Sequence, residues 1–153
     1  MSTPEARLID LGIELPPAMK AVANYVPFVI SGNQLFISGQ VSATPDGRVT
    51  GRLGETMDLP AGQAAARLCG INLIAQCKAA VGDLSKIRRV VKLGGFVNSH
   101  PLFTDIPQVI NGCSDLMVDV FGENGRHARS AVACPTLPLG VAVEIDGVFE
   151  IDT

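Results

Sequence analysis

Tryptophan is absent, tyrosine occurs once, and aromatic residues make up only 5% of the chain. Proteins that hold single-stranded nucleic acid stack its bases on rows of aromatic rings, and this chain has no such row. Positive charge is scarce as well: 12 Lys+Arg face 15 Asp+Glu, for a net charge of −3. A surface that tracks phosphates needs a basic excess, so no nucleic-acid partner is expected. Charged residues amount to 18%, below the usual share of about 25%. No apolar run approaches the roughly 20 residues of a membrane span, so no membrane partner is expected. The opening MSTPEARLIDLG carries acidic residues and lacks the apolar stretch of a secretory signal, which makes cytoplasmic residence the expectation. Cysteines stand at 69, 77, 113 and 134, with no CxxC pair and no histidine at metal-ligand spacing. They read as reduced structural thiols, and neither a metal nor a cofactor is expected.

What the chain does have is apolar surface. Hydrophobic residues form 47% of the 153 positions, enough for a sizeable core. So little polar surface favours burying part of the exterior against other copies of the chain. Residues 1–153 read as a single domain, with 1–24 as an N-terminal extension carrying a short helix. There is no internal repeat, low-complexity segment or linker.

Punctuation residues divide the sequence into elements. PEARLIDLG (4–12) reads as a short helix stopped by Gly12. Residues 26–39 read as a hairpin turning at SGN (31–33). Asp58, Pro60 and Gly82 bracket a helix over 59–81, with Leu68, Ile71, Ala75 and Ala79 at helical spacing beside Ala65, Cys69 and Leu73. KIRRVVKLGGFVNS (86–99) reads as a strand in which Gly94 and Gly95 mark a bulge or close packing. A second helix spans 102–122, starting near Asp105 and Pro107, and strands over 127–134 and 141–151 complete the chain. Two helices on one face of a mixed sheet make a two-layer α+β domain.

GRHARSAV (125–132) places Arg126, His127 and Arg129 at the mouth of an apolar strand, where an unpaired guanidinium is costly. Alternation puts His127, Arg129, Ala131 and Ala133 on one face of that strand. In the next strand Glu144 and Asp146 share a face, opposite Val143 and Ile145. If the two strands pair across TLPLG, Arg129 and Glu144 share a pocket. Spacing alone favours a structural ion pair between them, the commoner cause of such charges. The other reading is a carboxylate site, since the guanidinium fork grips a carboxylate bidentately and a carboxylate side chain can hold a water. His127, between two arginines, reads as structural or ligand-binding rather than as a general base. Ser38 lacks a GxSxG setting and is not expected to be a nucleophile. Tyr25, at the start of a strand, reads most simply as a core residue with its hydroxyl at the surface, or else as a ligand contact.

ISGQ (37–40), HARSAV (127–132) and VEI (143–145) resemble the Rid family, also called YjgF or endoribonuclease L-PSP. The resemblance runs from Tyr25 to the end, with Tyr25 before Gly39 and Arg129 before Glu144 at the family's separations. The GIELP segment and GRHARS resemble one divergent, longer branch. The resemblance implies a homotrimer of the chorismate-mutase-like fold, with clefts between subunits. It implies hydrolysis of reactive 2-imino acids and their enamine tautomers to 2-oxo acids and ammonia, without a cofactor. Arg129 would bind the substrate carboxylate, Glu144 would hold the attacking water, and Tyr25, Gly39 and Asn111 would line the cleft. The alternative functions are a non-catalytic trimer that binds small carboxylates and, against the composition, a ribonuclease. The chain departs from the family at His127, where proline is common, at Ala131, where cysteine is common, and in a longer stretch between Phe103 and Arg129.

Overall fold

Proline and a side-chain oxygen start the first two helices. In the computed structural model, which describes residues 2–21 and 23–153, Thr3 caps helix α1 (Pro4–Asp10) by accepting from the Ala6 N–H at 3.1 Å. Asp58 caps α2 (Leu59–Val81) in the same way through Ala61 at 3.0 Å. A proline in the first turn has no N–H to leave unpaired there. Helix α3 (Ile106–Phe121) follows Asp105 and carries Pro107 in its first turn; Asp105 makes no capping bond, and Gly122 ends the helix with a positive φ of 64°.

Among the described residues seven strands accompany the helices: β1 (Phe28–Ser31), β2 (Gln34–Val41), β3 (Ala43–Thr44), β4 (Gly47–Arg48), β5 (Ile87–Asn98), β6 (Ala128–Cys134) and β7 (Val143–Ile151). Five of them form one mixed sheet in the order β1-β2-β7-β5-β6, parallel only at β5–β6, and β3–β4 make a separate ribbon. Helices α2 and α3 cover one face, giving the α+β layering of the chorismate-mutase-like fold. Leu73 and Ile74 of α2, Ile110 and Leu116 of α3, and Leu93, Ile145 and Phe149 of the sheet are fully buried between the layers. Among the described residues, no helix is long and apolar enough to cross a membrane.

Strands β6 and β7 do not pair, so the condition under which Arg129 and Glu144 would share a pocket within one chain is not met. A parallel pair needs a crossover, and α3 provides it between β5 and β6. Strand β7 then runs antiparallel on the other flank of β5. The broad apolar face expected for α2 is narrower in the structure. Ala65, Cys69, Leu73 and Ala75 are buried as expected, with Ala66 and Cys77, whereas Leu68 and Ile71 are half-buried and Ala79 is exposed. Helix α3 lies against the small-residue side of α2, where Gly70 approaches Cys113 and Leu116.

Close packing, and no bulge, explains the paired glycines of β5. The register of β5 with β6 runs unbroken through Gly94 and Gly95, and a Cβ at Gly95 would overlap Ile110 of α3. The N-terminal segment is tied down at two points. Glu5 accepts from the Leu84 N–H at 2.6 Å and pairs with Lys78 at 3.2 Å. Gln76, almost fully buried, donates to the Met19 carbonyl at 2.7 Å.

Gly112 marks a close approach of the two main helices, since a Cβ there would run into the backbone carbonyl of Gln63. Gly112→Ala therefore has to part α2 from α3 and should cost about 1–3 kcal/mol of stability, the usual range for overpacking. Urea denaturation should show a lower midpoint with an unchanged slope; an unchanged midpoint would mean that the contact is soft.

Candidate functional site

The guanidinium of Arg129 lies beneath one stripe of α3. Pro107, Asn111 and Ser114 stand four and then three residues apart and so share a helix face. Nη1 of Arg129 donates to Asn111 Oδ1 at 2.8 Å and to Ser114 Oγ at 3.0 Å, and Nη2 donates to the Pro107 carbonyl at 3.3 Å. All three acceptors are neutral, and none of the ion pairs among the described residues includes Arg129. Nη1 has spent both its hydrogens. Nε and the second hydrogen of Nη2 meet no acceptor among the described residues, and together they make the side-on fork that fits a carboxylate.

His127, two residues before Arg129 in sequence, joins the same cluster. Its Nδ1 lies 2.6 Å from the Gly125 carbonyl and its Nε2 lies 2.9 Å from Ser114 Oγ. Arg126 turns away into an exposed pair with Glu123 at 3.2 Å. Sequence reasoning missed Ser114. Its signal was a polar residue three positions after Asn111 on a helix whose neighbouring positions, Ile110, Cys113 and Met117, are buried.

Glu144 occupies the other face of the sheet. On β7, Val143, Ile145 and Gly147 face the helices and Glu144 and Asp146 face away, as alternation predicts. Burial pushes the Glu144 carboxyl above its ordinary range, and the nearby Asp146 charge adds to the rise. Asp146 is raised too, by burial first, with a Gly94 backbone hydrogen bond and Lys92 working against it. Strand β2 has a register irregularity between Ile37 and Gln40, and Gly39 sits in it. A Cβ at Gly39 would overlap the Glu144 carboxylate, so the missing side chain makes room for that group. Tyr25, Gly39 and Glu144 line one pocket of about 800 Å³, with Met19 and Lys20 of the N-terminal extension in its wall. Tyr25 is 54% exposed, so it is no core residue. Leu139 of the TLPLG turn lies at the same pocket with φ 61°, the sole non-glycine residue with positive φ among those described. Strain of that kind gathers at ligand sites.

The six residues singled out from the sequence therefore fall into two groups. Arg129, His127 and Asn111 cluster with Ser114 under α3; Tyr25, Gly39 and Glu144 share the pocket beyond β7. The expected Arg129–Glu144 pair does not form within the chain. Arg129 aligns with Leu93 and then Gly147 across the sheet, on the helix side, while Glu144 aligns with Phe96 on the open side. Two strand spacings, about 10 Å, and the sheet itself lie between them. The structural ion pair is thereby overturned.

Three thiols and the Ser38 hydroxyl fall away as nucleophiles. Burial raises the Cys113 thiol to about 12 and pushes Cys69 and Cys77 up as well, so none of the three offers a thiolate near neutral pH. Ser38 spends its hydroxyl on the Val26 carbonyl at 2.8 Å. Among the described residues, no group of three or more His, Cys, Asp or Glu side chains is placed to hold a metal ion.

One family model, described as "YjgF/chorismate_mutase-like, putative endoribonuclease", matches residues 5–148. Protein TCP17 of Trypanosoma cruzi is 50% identical over 149 residues, which is 96% of this chain and 93% of that protein. The solved structure of Atu1372 from Agrobacterium tumefaciens, whose function is unknown, is 53% identical. It superposes with a TM-score of 0.91 over 97% of this chain and 92% of that one. RidA from the Antarctic bacterium Psychrobacter is 30% identical over 90% of this chain and 94% of its own, with a TM-score of 0.59.

The raised Glu144 carboxyl carries a signed pH dependence. A folded pKa above the unfolded one gives stability that is present below the ordinary carboxylate range and lost as pH rises through the folded value. Glu144→Gln, neutral at every pH, escapes that loss. Its melting temperature at pH 8 should equal or exceed that of the wild type, with the gap narrowing toward pH 4. A variant melting well below wild type at pH 8 would make Glu144 a structural residue.

Proposed function

The chain belongs to the YjgF/chorismate mutase-like family, and we propose that it hydrolyses small 2-imino acids to 2-oxo acids and ammonia in a cleft shared between copies of itself. The observation that carries this reading is the guanidinium of Arg129: half-buried, held by neutral acceptors and left with its carboxylate-shaped fork free. Holding a charge there without a counter-charge costs stability, and an incoming carboxylate repays it.

The two half-sites lie on opposite faces and different strands, so they serve one substrate when Arg129 of one copy meets Glu144 of the next. A head-to-tail contact of this kind closes into a ring, and three copies make the ring proposed here. Val29 and Phe36 on the open face of the sheet, and Val132 on its edge strand β6, are 51%, 42% and 48% exposed and supply apolar surface for such a contact. The bound carboxylate sits beside an iminium carbon that is already electrophilic. Glu144, a stronger base than an ordinary carboxylate because of its burial, orients a water and takes its proton as the oxygen adds. Nitrogen leaves as ammonia. The family description speaks of an endoribonuclease; the net charge of −3 and the single tyrosine favour a small carboxylate over RNA.

Two measurements test this reading. Sedimentation at micromolar concentration should show a trimer, and a stable monomer would remove the shared cleft. Arg129→Lys and Arg129→Ala should assemble and melt close to wild type, yet bind 2-oxobutanoate at least about tenfold more weakly, as expected for lost hydrogen bonds to a charged group. A variant that melts far lower and still binds the acid normally would return Arg129 to the scaffold.

A further inference from the structure

Two cations stand in the wall of the Glu144 pocket with no acid spent on them. Lys20 comes from the N-terminal segment and Arg48 from strand β4, and both line the same cavity of about 800 Å³ as Tyr25, Gly39 and Glu144. None of the ion pairs among the described residues includes either, whereas Arg52, Lys78, Arg88 and Arg126 each meet a carboxylate. Glu144 is the one acid among the described residues of that wall, and it pairs with neither. Positive charge is therefore in excess inside this pocket, although the whole chain carries −3. A cleft lined with one sign of charge draws in the other.

Both cations are carried beside fixed points of the backbone. The carbonyl before Lys20 accepts from Gln76 at 2.7 Å. Arg48 pairs with Ala43 in the β3–β4 ribbon, whose turn is braced by the Asp46 N–H donating to Thr44 Oγ1 at 3.2 Å. The Val49 carbonyl just after it accepts from the Ala142 N–H at 3.1 Å and the Ser42 hydroxyl at 3.0 Å. The ribbon stands outside the five-stranded sheet and buries only Ala43 of its four strand residues, so it serves the pocket wall more than the core. Val41, Ala43 and Leu139 make the rest of that wall apolar, which suits a methylene chain ending in an anion. No α-helix starts in this wall, so the row of free backbone N–H groups that suits a phosphate is missing, and a carboxylate is the anion that fits.

We propose that Lys20 and Arg48 set the specificity of this site, selecting 2-imino acids whose side chain ends in a second carboxylate. The inference rests on the imine-hydrolase reading and names its substrate class. The carboxylate on C1 goes to Arg129 of the neighbouring copy, and C2 stands at the water beside Glu144. In a five-carbon diacid the distal carboxylate lies three bonds beyond C2, further into the pocket. The long, unpaired stems of Lys20 and Arg48 meet it there from two separate stretches of chain. A four-carbon monoacid leaves both cations without a partner and most of the cavity unfilled, since cavities of this size hold far larger ligands.

The test is calorimetry on the full-length assembled protein with 2-oxoglutarate and with 5-methyl-2-oxohexanoate, which carries two methyl groups where the diacid has its distal oxygens. Wild type should bind the diacid about tenfold more tightly, as two partly exposed ion pairs would give. Lys20→Met combined with Arg48→Met keeps the stems and removes the charges. That double variant should bring the two acids to within about threefold of each other, with each single variant in between. Three results overturn the proposal. Equal binding of the two acids by wild type means that the pocket ignores charge. A double variant that weakens both acids alike and keeps their ratio means that the cations serve the C1 carboxylate. A double variant that no longer assembles means that they pair with the neighbouring copy. Inorganic phosphate binding as tightly as the diacid overturns it too. In each case imine hydrolysis stands if wild type speeds the decay of 2-iminobutanoate, made in place from 2-aminobutyrate by an amino-acid oxidase. A wild type that speeds neither that decay nor the decay of 2-iminoglutarate, made likewise from glutamate, overturns both.

Discussion

The parallel pairing of β5 with β6 constrains everything else in this molecule. Two parallel neighbours cannot be joined by a tight turn, so the chain must climb off the sheet and return, and α3 is that path. The crossover fixes α3 over one face, makes β6 the edge of the sheet, and lays the Pro107–Asn111–Ser114 stripe above Arg129. It also leaves β7 to the far flank of β5, which carries Glu144 away from Arg129 and onto the opposite face. A β6–β7 hairpin would have paired the two charges and neutralised both.

The separated charges have a common electrostatic character. Arg129 is a cation surrounded by dipoles, and Glu144 is a carboxyl whose charged form burial disfavours. Neither arrangement is what stability alone would select, since a buried charge is ordinarily paired. Each half-site therefore holds unspent interaction energy, positive in one and proton-seeking in the other.

Much of this was legible in the sequence, and the reasons are local. The helix limits were readable because Thr3, Asp58 and Pro60 cap or start helices through bonds within a few residues, and Gly82 and Gly122 stop them with positive φ. The faces of Arg129 and Glu144 were readable because strand alternation is strict. Strand order was not readable, because pairing depends on contacts far apart in sequence. The same limit explains the width of the apolar face of α2, where Leu68 and Ile71 are apolar enough to suit a core that closes over Ala65, Cys69, Leu73 and Ala75 without them. Ser114 escaped notice because a lone serine in a helix carries no signal until His127 and Arg129 are folded against it. Tyr25 read most simply as a core residue from sequence, and its exposure in the pocket wall overturns that reading.

The bond from Gln76 to the Met19 carbonyl joins two parts of the molecule that otherwise have different jobs. Scaffold and pocket wall are built from separate stretches of chain: the sheet and helices carry Gly39, Glu144 and Arg129, while Met19 and Lys20 come from a segment hung on the outside of α2. Met19 and Lys20 are absent from the core cluster, so they can be exchanged while the interior stays packed, provided the carbonyl at position 19 still meets its amide, because a backbone acceptor is the same in every residue. Within the function proposed above, one short, externally anchored strip of the pocket wall can vary while Gly39, Glu144 and Arg129 stay where they are.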